Sequence, residues 1–163
     1  MMFANHQAFG LGAGLALYKY LDHSIPATEL FIAIPLIMLG ILLPDIDTPD
    51  SKLGSKVPFI SYPIGSIFGH RSITHSMLFC GGMMYYGVSI DSPILFWLGF
   101  GAYMHILGDF FTPSGVPLMW PITKRFRFFI TFATGGMVEY VFAWSVFFAG
   151  IGYLLNFQLA YMS

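Results

Sequence analysis

The sequence predicts an all-α fold: an integral membrane bundle of about five transmembrane helices with two long loops on the cytoplasmic side. Only 9% of the 163 residues are charged, whereas 56% are hydrophobic and 18% aromatic. Soluble domains carry about a quarter charged residues. Apolar stretches near the length of about 17–25 residues that a helix needs to cross about 30 Å of hydrocarbon recur along the chain. The length fits one membrane-embedded domain, residues 1–163.

The five predicted helices differ in character. The first, 5–20, is rich in glycine and alanine, which suits close packing within the monomer or against another copy. The second, 28–43, and the third, 74–89, are short. The fourth, 93–111, and the fifth, 137–157, are long and aromatic. The chain start lacks the basic segment and cleavage motif of a signal peptide, so we expect the first helix to persist in the mature protein.

The connections and their charges predict the orientation. Five crossings place the N-terminus and the long loops 44–73 and 112–136 on one side, and the C-terminus on the other. Six of the seven Lys and Arg residues fall on the first side, and only Lys19 lies near the second. The positive-inside rule therefore predicts that the N-terminus and both long loops are cytoplasmic and the C-terminus extracytoplasmic.

Both long loops are expected to contact the membrane. Segment 57–68 is apolar and contains Pro63, as in a segment that lies at the interface or dips back into the bundle. Segment 125–129 alternates basic and aromatic residues, which is typical of an anchor at the level of the lipid headgroups.

Several function classes are disfavoured by composition. The net charge of −1 and the lack of a basic cluster argue against nucleic-acid binding. A single cysteine, Cys80, excludes an internal disulfide framework and a Cys-rich zinc site. The sequence contains no HExxH motif, so a zincin-type protease is not supported.

Side chains that could do chemistry gather at the predicted cytoplasmic helix ends. His105 and Asp109 have i, i+4 spacing and project from one helical face, and Gly108 leaves room beside them. Two ionisable groups in an apolar helix cost several kcal/mol unless they are paired or face a polar cavity. Imidazole and carboxylate are ligands for zinc, manganese or iron, so the pattern predicts a site for one or two divalent ions. The full set at these ends is His6, Asp45, Asp47, His70, His75, His105, Asp109 and Glu139.

Single members of this set have simpler explanations. His6 could be an interfacial residue, and Asp45 and Asp47 could merely end a helix in water. Glu139 near a helix N-terminus is favoured by the helix dipole. The joint occurrence at one side of the membrane is what favours a metal site.

At these residues the sequence resembles the YdjM-type, LexA-regulated inner-membrane proteins classed as membrane-bound metal-dependent hydrolases. The resemblance covers about residues 5–121 and includes a histidine at the position of His6. Its motifs are LPDID at 43–47, HRSITHS at 70–76 and HILGDFFTP at 105–113. It implies a bacterial cytoplasmic membrane protein with metal-dependent hydrolase activity, regulated in the SOS response.

The preferred hypothesis is hydrolysis of a phosphoester in a lipid or lipid-linked substrate, with an acyl ester or amide left open. A metal ion, most simply zinc, would activate water at the headgroup level. Arg71 would clasp phosphate oxygens, helped by Lys124 or Arg125. Glu139 or His6 would act as general base or as a further ligand. The predicted metal ligands are Asp45, Asp47, His70, His75, His105 and Asp109.

Two other classes remain open from the sequence. The same cluster could serve a metal-ion or proton transporter, although pumps usually carry such groups near the bilayer midplane. A membrane adaptor with a structural metal site is the third reading. The oligomeric state is left open.

Overall fold

The fold is all-α, as predicted, in a computed structural model that describes residues 1–21, 27–68, 73–122 and 124–161. Within these residues three short 3-10 helices, at Pro44–Asp47, Gly54–Lys56 and Ile73–His75, lie between longer elements. In the described part of the chain six α-helices form the bundle: α1 Phe3–Tyr20, α2 Ala27–Leu42, α3 Pro58–Phe68, α4 Met77–Ser89, α5 Pro93–Phe110 and α6 Met137–Tyr161.

Helix α3 lies within segment 44–73, which the sequence predicts as a loop. It occupies 11 residues of the segment 44–73 and packs against the 3-10 helices on either side of Asp50. Pro58 stands at its first position, where a missing N–H costs nothing, and the helix accommodates Pro63 in its interior. Gly65 faces the turn at Asp47, because a Cβ there would lie 2.7 Å from the Asp47 carbonyl oxygen.

The other helices pack in pairs. Helix α5 lies against α2 and α4, and α1 lies against α6. Glycines permit two close crossings: a Cβ on Gly12 would lie 2.5 Å from Cα of Phe147, and a Cβ on Gly101 would lie 3.0 Å from Cα of Gly40. The small-residue face of the first helix therefore packs within the monomer.

Several helices expose large apolar side chains. Phe31 on α2, Tyr85 on α4 and Phe148 on α6 are 80%, 78% and 63% exposed. Among the described residues, two stretches are long and apolar enough to cross a membrane, Thr28–Asp47 and Met137–Leu155. These correspond to the second and fifth predicted crossings. Helix α4, with 13 residues, reaches only about 20 Å at about 1.5 Å per residue.

Candidate metal centre

Four separate elements bring ionisable side chains to one end of the bundle. The start of α1 provides His6, the two 3-10 helices 44–47 and 73–75 provide Asp45 and His75, and the last turns of α5 provide His105 and Asp109. Their donor atoms form two groups that could each hold a metal ion, and within each group the atoms lie within 4.8 Å of one another. The first group is His6, His105 and Asp109, and the second is Asp45, His75 and His105.

His105 belongs to both groups. Its Nδ1 lies 2.8 Å from the carbonyl oxygen of Ile41, in the last turn of α2. Since that oxygen can only accept, Nδ1 carries the proton and Nε2 keeps its lone pair. Nε2 lies 3.6 Å from Oδ1 of Asp45 and 3.9 Å from Oδ2 of Asp109. The imidazole is therefore held in the tautomer and orientation of a metal ligand between two carboxylates.

The first group is sealed from solvent. Nε2 of His6 lies 3.2 Å from Oδ1 of Asp109, and both side chains are at most 4% exposed. The His6 ring stacks on the His105 ring with centroids 4.0 Å apart. Gly108 makes this possible, because a Cβ there would lie 2.9 Å from Nδ1 of His6. The α-amino group of Met1 donates to the same Asp109 oxygen at 2.6 Å, so this carboxylate already faces a cation.

The second group is open on one side. His75 is fully buried, whereas the Asp45 side chain is 35% exposed. Nε2 of His75 points towards Oδ1 of Asp45 at 4.0 Å. Its Nδ1 lies 3.5 Å from Oδ2 of Asp47, and Thr74 donates to that same oxygen at 2.5 Å. Asp47 thus stands behind His75, outside both groups, in the position of a carboxylate that orients a ligand histidine.

The donor set fits a divalent metal ion. Among the described residues, Nδ1 of His6 and Nε2 of His105 are buried without a hydrogen-bond partner. Buried polar atoms are normally satisfied, so such atoms call for an unseen partner. Histidine nitrogens with carboxylate oxygens are the donors that zinc, manganese and iron accept.

Glu139, predicted as a base or ligand, lies elsewhere in the hydrogen-bond network. Oε1 accepts from the backbone N–H of Met2 at 2.7 Å and from Nδ2 of Asn5 at 2.5 Å. Oε2 accepts from the backbone N–H of Gly135 at 2.9 Å. The carboxylate therefore ties the start of α1 to the start of α6. The role of Asn5, which is fully buried, has no signal in the sequence because its partner is far away along the chain.

Two of the three predicted substrate-binding residues, Lys124 and Arg125, lie in the described part of the chain. Lys124 and Arg125 are exposed, and Nζ of Lys124 lies 5.7 Å from the ring centre of Phe126. His70 and Arg71 lie outside the described residues, so their predicted roles stay predictions.

The comparisons with known proteins show the family to which the chain belongs. The family model described as YdjM inner membrane protein matches residues 1–162. The chain belongs to the YdjM inner membrane protein family. The match extends beyond the segment 5–121 that carried the resemblance and includes Glu139.

Two relatives illustrate the family. Inner membrane protein YdjM of Escherichia coli (strain K12) is 44% identical over 101 residues, which cover 58% of this chain and 52% of that protein. A Bacillus subtilis (strain 168) protein named uncharacterized protein YvsG is 37% identical over 103 residues, covering 62% of this chain and 64% of that protein. The chain spans about half the length of the YdjM relative. No solved structure matches it.

Proposed function

We propose that this inner membrane protein is a metal-dependent hydrolase that cleaves a phosphoester of a lipid or lipid-linked substrate at the cytoplasmic headgroup level. An acyl ester or amide is the alternative bond. The observation that carries the proposal is the pair of donor groups that share His105, one sealed and one reaching solvent through Asp45. A site with one open edge gives a polar group access from the interface.

The ligands proposed from the structure are either His6, His105 and Asp109 or Asp45, His75 and His105. Because Nδ1 of His105 is engaged by Ile41, its Nε2 can complete one of these sets at a time. Zinc is the first candidate, with manganese or iron as alternatives. Such an ion would polarise the scissile group and supply an activated water at neutral pH.

The protein's own groups would orient the ligands and bind the substrate. Asp47 and the Ile41 carbonyl hold His75 and His105 in orientation. His6 is proposed as a ligand of the first group, and Glu139 is disfavoured as general base because both of its oxygens already accept hydrogen bonds. Arg71, with Lys124 or Arg125, is proposed to hold the phosphate oxygens.

We propose five membrane crossings, with the N-terminus and both long segments cytoplasmic and the C-terminus extracytoplasmic. Family membership and the two long apolar stretches support a multi-pass protein. The contact of Lys52 with Phe3 supports a shared side for the N-terminus and the first long segment, because Nζ of Lys52 lies 3.7 Å from the centre of the Phe3 ring.

A hydrolase is favoured over a transporter by the apolar side chains that lie beyond the donor groups. The next turns of α1, α2 and α5 carry Phe9, Ile37 and Phe100, which are buried in one hydrophobic cluster. In the described part of the chain this cluster separates the donors from Glu29, whose Oε1 accepts from the Trp97 indole at 3.0 Å. A transport path would need polar side chains here.

The test is a lipid screen. Wild-type protein, Asp109→Asn and the control Asp91→Asn would be incubated with a bacterial lipid extract and zinc, manganese or iron, and the products compared by mass spectrometry. Asp91 is exposed and outside both donor groups, and its φ of 53° suits asparagine. We expect products with wild type and Asp91→Asn but not with Asp109→Asn. Identical product profiles for all three would overturn the proposal.

A further inference from the structure

An apolar groove runs between α3, α4 and α5 beside the donor groups. Its volume is about 370 Å³, which falls within the ~300–1,000 Å³ typical of small-molecule sites. Small buried side chains, Cys80 and Ala102, form its floor, and Phe79, 46% exposed, stands at its rim. Among its described lining residues Thr74 is the one polar side chain, and its hydroxyl is committed to Asp47. The groove therefore offers hydrocarbon contacts and no free polar group.

One end of the groove adjoins the metal centre. Ile46 lines it and lies in the chain between Asp45 and Asp47. Thr74 lines it as well, next to His75, and bonds to the carboxylate behind that histidine. A molecule in the groove would consequently have its near end beside Asp45, the donor residue with 35% of its side chain exposed.

We propose that this groove holds an acyl chain of the lipid substrate, with the scissile headgroup bond at Asp45 and His75. The inference rests on the proposed function and adds the part of the substrate that is recognised. A hydrocarbon chain matches the groove because its burial removes apolar surface from water and leaves no polar atom unsatisfied. Phe79 lines the groove and is 46% exposed, so the groove is open at this rim.

A second apolar groove provides the internal control. It has a volume of about 480 Å³ and is lined by Leu78 of the same helix α4 together with Trp120 and Ile122. Its described lining includes no residue of either donor group and lacks Thr74, the residue that bonds to Asp47 behind His75. Equal hydrophobicity without a link to the metal centre makes it the matched comparison.

The experiment is photo-crosslinking of the full chain in detergent micelles with a lysophosphatidylglycerol that carries a diazirine in its acyl chain. Labelled peptides would be mapped by mass spectrometry in wild type, Met83→Trp, which fills the first groove, and Leu78→Trp, which fills the second. We expect saturable labelling at Phe79 to Met83 in wild type and Leu78→Trp, and a loss of about tenfold in Met83→Trp, since pocket sterics discriminate at this level. Ile64→Trp, from α3, is the second groove variant if Met83→Trp loses helicity.

Labelling that does not saturate, that spreads evenly over exposed apolar helices, or that persists in both groove variants would overturn the groove assignment. The crosslinking is done on metal-stripped protein, so it does not depend on hydrolysis. Saturable labelling without any lipid product would leave the groove in place and contradict the hydrolase. Where hydrolysis occurs, Met83→Trp should raise KM for long-chain lipids. It should leave KM unchanged for bis(p-nitrophenyl) phosphate, because this substrate has no acyl chain. An equal rise in KM for both substrates would contradict the groove assignment.

Discussion

Nδ1 of His105 lies 2.8 Å from the carbonyl oxygen of Ile41, so the end of one helix determines which nitrogen of a buried histidine faces the candidate metal centre. The contact depends on the close approach of α2 and α5, where Gly40 and Gly101 leave no room for a Cβ. Carbonyls in the last turn of a helix lack intrahelical partners and accept such bonds readily. The packing of α2 on α5 thus leaves the Nε2 lone pair of His105 directed at the candidate metal centre.

The first prediction concerns His105 itself. His105→Ala removes a donor from both groups. Metal affinity should therefore fall by more than the ~10–100-fold that follows the loss of a group behind a ligand, and the metal content of the purified protein should fall with it. Metal analysis of purified protein by mass spectrometry checks this, with Asp91→Asn as control. Metal retained at the wild-type ratio in His105→Ala would show that the ion, if present, is bound elsewhere.

The second prediction separates Asp47 from Asp45. Asp47 contacts Nδ1 of His75 and the Thr74 hydroxyl, whereas Asp45 faces the donor nitrogens of His75 and His105. Asp47→Asn should therefore weaken metal binding by about 10–100-fold and keep the stoichiometry at saturation. Asp45→Asn should lower the stoichiometry. Metal titration by calorimetry distinguishes the two, and equal loss of stoichiometry in both variants would make Asp47 a ligand.

Part of this site could be predicted from the sequence because it is local. The i, i+4 spacing of His105 and Asp109 fixes their common face by helical geometry alone. The division of labour between Asp45 and Asp47 could not be predicted, since it follows from the short 3-10 helix 44–47 and its packing on α3. Helix α3 itself was missed because Pro63 indicated an interruption, although tertiary packing allows the helix to continue through it.

The third prediction tests the space that Gly108 provides. A Cβ at this position would lie 2.9 Å from Nδ1 of His6 and 3.3 Å from Sδ of Met1. Gly108→Ala should displace His6 from Asp109 and reduce metal affinity about tenfold, at the lower end of the effect of disturbing a ligand's support. Helicity by circular dichroism should stay unchanged. Gly81→Ala, at a position in α4 where a Cβ meets open space among the described residues, is the control and should bind metal like wild type.

The fourth prediction separates two roles for Glu139. If it ties α1 to α6, Glu139→Gln should lower the free energy of unfolding by about 1–3 kcal/mol, because a charged acceptor of three hydrogen bonds is lost. Catalysis by the fraction that remains folded should persist. Thermal unfolding in detergent and turnover per folded molecule measure the two effects, and lost turnover with unchanged stability would instead support the predicted general base.

The final prediction uses two glycines of α6 that lie two residues apart. A Cβ on Gly150 would overlap the carbonyl oxygen of Gly12 in α1, whereas a Cβ on Gly152 meets nothing within 4 Å among the described residues. Alanine is favoured over glycine in a helix by about 1 kcal/mol, so propensity alone would stabilise both substitutions. Gly150→Ala should nevertheless destabilise the protein by about 1–3 kcal/mol through overpacking, and Gly152→Ala should not. Thermal unfolding in detergent gives the sign for each. Destabilisation of Gly150→Ala that varies with protein concentration would contradict packing of α1 on α6 within the monomer, because a contact between copies weakens on dilution.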